Sequence, residues 1–126
     1  MAIALERAGP DERLMEPRVV SSLLVGALLR RADSQGGFGA VLAKGDPTAG
    51  AVLVILLERG TGPRCFERLL QPDGRYGWEE SRQQPTDAED LRDFLARRRK
   101  FDPDLWVVEL DIASAERFAA EMKSLG

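Results

Sequence analysis

The residues best able to do chemistry crowd into one stretch, Leu91 to Asp111, LRDFLARRRKFDPDLWVVELD. Four consecutive cations, Arg97, Arg98, Arg99 and Lys100, run straight into Phe101, Asp102, Asp104 and Trp106. A basic run beside aromatics is what a polyanion-binding surface needs. Cations neutralise phosphate, and ring faces (Trp78 and Tyr76 are further candidates) stack on bases. The carboxylates offer a different chemistry. Asp102, Asp104 and Glu109, with Glu79 and Glu80 upstream, carry the hard oxygens that a divalent cation prefers. A metal-dependent hydrolase would require several of them to converge. Both features also have a plainer reading. Cations suit the C-terminal turn of a helix, and Asp residues flanking a proline suit a capping turn.

Composition narrows the choice. There is no His, so Ser-His-Asp triads, Cys-His dyads and His-containing zinc sites are out. Acid–base work at neutral pH would fall to shifted carboxylates, Lys or Tyr76. Cys65 stands alone, which rules out an intramolecular disulfide and a Cys-rich zinc site, and points to a reducing compartment. Its simplest role is a small apolar core residue. With 18 Lys and Arg against 21 Asp and Glu, the net charge of −3 creates no field toward nucleic acid or a membrane. Nucleic acid is therefore the weaker partner and membrane none. The glycines of Gly36 to Gly39 follow a helix pattern and precede a strand, the reverse of a phosphate loop. No cofactor is implied.

The elements that position these residues follow from periodicity. Val19 to Asp33 reads as a largely buried helix, capped by Ser21 or Ser22 and stopped by Gly36-Gly37. Phe38 to Lys44 and Ala51 to Glu58 read as a hairpin joined by Gly45 to Gly50. AVLVILL has the unbroken apolar run of a central strand. Arg64 to Leu70 and Arg75 to Ser81 are strands joined across Pro72-Asp73-Gly74, with Phe66, Tyr76 and Trp78 meeting across them. Pro85 and a Thr86/Glu89 capping box open a helix whose apolar face is Ala88, Leu91, Phe94 and Leu95, continued by Phe101. Asp93 and Arg97 form an i,i+4 pair on it. Pro103 ends it. In the strand that follows, Trp106, Val108, Leu110 and Ile112 face one way, a face expected to be buried throughout. The opposite face turns acidic, as if the strand leaves the core. Ser114 caps a last helix with Ala115, Phe118, Ala119, Met122 and Leu125 on its apolar face.

The length of 126 residues suits one domain. The expected fold is α+β: a single mainly antiparallel sheet of about five strands, with three helices packed on one face. Residues 1–17 form an N-terminal arm of mixed charge ahead of a domain over 18–126, and Met15 is an alternative start. Glu6, Arg7, Asp11 and Glu12 leave no room for a signal peptide, and Val19 to Leu29 is too short to span a bilayer, so a cytoplasmic protein is expected.

Two strings carry a resemblance: GDPTAGAVLV from Gly45 to Val54, and RRRKFDPDLWVVEL from Arg97 to Leu110. With the apolar stretch ahead of LLRR, they resemble an alphaproteobacterial family, domain of unknown function 1491, over roughly Arg18 to Glu121. The resemblance implies one domain and a bacterial cytoplasm. It transfers no catalytic residue, because the family has no assigned activity. The leading expectation is thus a non-catalytic interaction or accessory protein, pairing with itself as a homodimer or with another protein. Its candidate surface is Arg97, Arg98, Arg99, Lys100, Phe101, Asp102, Asp104 and Trp106. Nucleic-acid binding through 97–100 and a carboxylate-based hydrolase are the alternatives.

Overall fold

The computed structural model describes residues 20–82 and 84–125, so the expected arm, 1–17, lies outside the described residues. In chain order the elements are α1 (Ser21–Ser34), β1 (Phe38–Ala43), β2 (Val52–Glu58), β3 (Thr61–Leu70), β4 (Tyr76–Glu80), α2 (Ala88–Phe101), β5 (Trp106–Ile112) and α3 (Ala115–Leu125). The strands form one mixed, mostly antiparallel sheet in the order β1-β5-β2-β3-β4.

β2 is the central strand, as its apolar run demands, but the expected β1–β2 hairpin is not formed. β5 inserts between them, antiparallel to β1 and parallel to β2. The reason is burial. β2 from Val52 to Leu56 is buried on both faces, and the almost wholly apolar first half of β5 makes a better neighbour for it than β1, whose residues are nearly all exposed. The β3–β4 hairpin is as expected, with Gly74 donating its N–H to Gln71 O at 2.9 Å in the turn.

The helices do not share one face, a correction to the expected architecture. Alternation along the strands sends Val52, Val54, Leu56, Val108 and Leu110 to a large core with α1 and α3. Leu53, Ile55, Cys65, Leu105 and Val107 go to a smaller core with Phe94 of α2. One face of β5 is buried throughout, as expected, with Leu110 and Ile112 on the α1/α3 side, so the strand does not leave the core at its acidic end. Glu109 and Asp111 are half-buried because the α2 core stops at Val107.

Caps differ locally from expectation. α1 has Val20 at its N-cap, and its first amides, Ser21 N and Ser22 N, donate to Thr48 O and Pro47 O. α2 is capped by Asp87, which accepts from Asp90 N at 2.8 Å, while the Asp90 carboxylate takes Thr86 N at 2.9 Å. The box is thus built one residue later, from two Asp rather than Thr and Glu. Ser114 caps α3 through Arg117 N at 3.2 Å. No helix among the described residues is long and apolar enough to cross a membrane.

Candidate interaction surface

The basic run splits by helical position. Arg98 reaches across the sheet to the Glu67 carboxylate on β3, a partly buried ion pair. Arg99 donates to Leu105 O at 2.6 Å and to Lys44 O at 3.3 Å, tying the end of α2 to the ends of β5 and β1. Arg97 and Lys100 face solvent. Phe101 is 86% exposed, so it does not continue the apolar face of α2. Half of the expected cationic patch therefore holds the fold together. Trp78, one of the rings offered for base stacking, is buried, and Tyr76 lies under the Arg68 guanidinium at 4.8 Å.

The FDPD turn is likewise structural. Asp102 accepts from Asp104 N at 3.2 Å, and Asp104 O accepts from Asp46 N at 3.1 Å. Trp106, read both as part of the buried face of its strand and as a candidate surface residue, is buried at 4% exposure and donates its indole N–H to Asp46 O at 2.7 Å, so it is not part of the surface. The Asp46 carboxylate in turn holds Ala49 N at 2.7 Å. GDPTAG and FDPDLW, about sixty residues apart in the chain, thus interlock at the lower end of the sheet. Gly45 and Gly50 permit the approach: a Cβ there would stand 2.0 Å and 2.4 Å from Asp104 O. The two strings that carry the family resemblance form one packed joint.

The carboxylates do not assemble a metal site. Among the described residues no group of three or more His, Cys, Asp or Glu side chains could hold a metal ion. Glu80 is bound by Arg64 at 2.9 Å on the β4 edge, while Asp102 and Asp104 belong to the turn after α2. Arg64 beside Glu80 holds that carboxyl below its ordinary range, against a smaller opposing effect of burial. Cys65 is fully buried, and burial, helped by Glu67 and Glu80, pushes its thiol up to about 11, so it is no nucleophile at neutral pH. The clefts are modest. One of about 270 Å³ is lined by Gln35, Ala113, Ser114 and Arg117; another of about 220 Å³ lies beside Ser21, Thr48, Arg68 and Tyr76.

What sequence reasoning missed is β1. Phe38, Val41 and Leu42 are 69%, 40% and 49% exposed on an outer strand that contains no charge and no proline. The signal was present in the composition of FGAVLA. It was obscured by the expectation that β1 pairs with β2, because a strand at the sheet edge and a strand inside it carry the same apolar pattern.

A model of the family described as "protein of unknown function (DUF1491)" matches residues 19–120. Among solved structures, a DUF1491 family protein from Caulobacter crescentus CB15 is 37% identical with a TM-score of 0.70, covering 79% of this chain and 94% of that one. An NMR structure of a DUF1491 family protein from the same organism is 35% identical, TM-score 0.67, covering 79% and 91%. A protein of A. tumefaciens solved in solution is 31% identical, TM-score 0.68, covering 80% and 92%. Among curated proteins no match was found. With nearly the whole described domain matched, in sequence and in fold, the chain belongs to the DUF1491 family of proteins of unknown function.

Proposed function

We propose that the chain is a non-catalytic interaction protein of the cytoplasm, and that it docks a protein, a second copy or a different chain, along the open edge of β1. One observation carries this reading. β1 exposes Phe38, Val41 and Leu42 on an edge strand with none of the charges or prolines that ordinarily block edge-to-edge pairing. Strand addition to such an edge draws affinity from main-chain hydrogen bonds and specificity from alternate side chains. The lone, buried Cys65 supports a reducing compartment. The division into an arm, residues 1–17, and a domain, residues 18–126, belongs to the same proposal and is supported by the family match beginning at residue 19. Arg97, Lys100 and Phe101 remain contact candidates at the lower end of the molecule, whereas Arg98, Arg99 and Trp106 are committed to the fold.

The test is affinity capture with the wild-type chain and with a V41K/L42K variant. A protein retained by the first and lost by the second is the expected result. Identical retention by both, or none by either for a chain that also stays at single-copy mass, sinks the reading.

A further inference from the structure

Resting on that reading of β1, we infer that its occupant is a second copy of this chain, joined β1 to β1 antiparallel about a two-fold axis at Ala40. The strand is self-complementary. Its six residues are uncharged, so self-pairing sets no like charges opposite one another. Phe38 and Ala40 stand on the α2 side of the sheet, across from Asp111 and Glu109; Gly39 and Val41 stand on the other side, across from Leu110 and Val108. Facing residues of an antiparallel pair share a side, so the axis must fall on a residue rather than between two. Placed on Ala40, it uses the whole stretch from Phe38 to Leu42. Gly39 then meets the partner's Val41, and Phe38 the partner's Leu42, which sits at the register shift between Val41 and Ala43.

Charge selects the same arrangement. On the α2 side, the upper half of the sheet carries the half-buried Glu109 and Asp111, beyond the reach of the α2 core. The lower end of the sheet carries exposed Lys44, whose carbonyl accepts from Arg99 at the C-terminal end of α2, the end that also carries exposed Lys100. Antiparallel pairing turns one copy end for end. Lys44 and the basic end of α2 come just past the partner's Phe38, with the partner's Asp111 one strand further in. A parallel pairing would instead set acid beside acid and base beside base. The result is one continuous sheet whose free edges are the two β4 strands.

The experiment is sedimentation of the full chain over a rising concentration series, with Ala40→Lys and Ala40→Cys. Wild type is expected to reach twice 13.9 kDa. A40K, which sets two ammonium groups opposite each other at a site exposed in the single copy, is expected to stay at the single-copy mass with unchanged circular dichroism. A40C is expected to cross-link under mild oxidation, since facing Cβ atoms lie about 4.5–5.5 Å apart, close to disulfide reach. Ala120→Cys, on the exposed side of α3, is expected not to. A wild-type chain of single-copy mass throughout overturns the inference, as does a dimer that A40K leaves intact and A40C does not link. A single-copy chain that still captures a protein lost by V41K/L42K overturns only the second copy and leaves the β1 reading in place. A single-copy chain that captures nothing overturns both.

Discussion

At one edge of the sheet, β4 is five residues long and ends in two exposed acids, Glu79 and Glu80, the second clamped by Arg64. At the other, β1 is six residues of FGAVLA, exposed along nearly its whole length and uncharged. Each is an outer strand of the sheet among the described residues. β4 carries the charges that deter a neighbouring strand, and β1 does not. In a chain with no His and, among its described residues, no metal cluster, that difference is what motivates the proposed docking at β1.

The contrast depends on β1 being held in place at its lower end, and the largest expected effect tests that. Trp106→Ala removes a buried indole and its bond to Asp46, and should cost about 3–5 kcal/mol in denaturant unfolding. A loss under about 1 kcal/mol would mean the interlock does not anchor the strand. Next, Arg98→Ala strands the partly buried Glu67 and should cost about 1–3 kcal/mol, while Arg97→Ala stays within about 0.5 kcal/mol. Equal effects would return the basic run to the surface as one unit and weaken the case for β1. A smaller effect on stability, but a visible one on association, is expected of Glu79→Val with Glu80→Val. Unguarding β4 should raise light scattering at high concentration, and unchanged scattering would show that its charges are not what protects it.

The smallest effect concerns pH. Arg64 lowers the Glu80 pKa in the folded chain from its ordinary 4.5, so the pair's stabilisation is present above that value and fades as pH falls through the folded pKa. Both groups are well exposed, which keeps the contribution small. Glu80→Gln should flatten the acid limb of a Tm-against-pH curve. Parallel curves for the two proteins would remove this ion pair from the account of the β4 edge.

Much was legible locally. The 3.6-residue period placed α2 and α3, the β3–β4 turn followed from Pro72-Asp73-Gly74, and the apolar run of β2 marked the central strand. Cys65 was readable as core because the chain has no His to activate it. The candidate site was hardly legible. Arg98, Arg99 and Trp106 look functional in a linear sequence, and their partners, Glu67, Lys44 and Asp46, are distant in the chain.

By itself, then, the sequence determined the element types, the α+β class, the exclusion of His- and Cys-based chemistry and the two strings that mark the family. These depend on residue identity and short-range periodicity, which are written in the chain. Tertiary structure alone decided that β5 enters between β1 and β2, that α2 takes the face opposite α1 and α3, and that β1 is the outer strand of the described sheet. The physical reason is that strand order and helix side are set by competition between distant segments to cover β2. An apolar strand of six residues carries no local mark of having lost that competition.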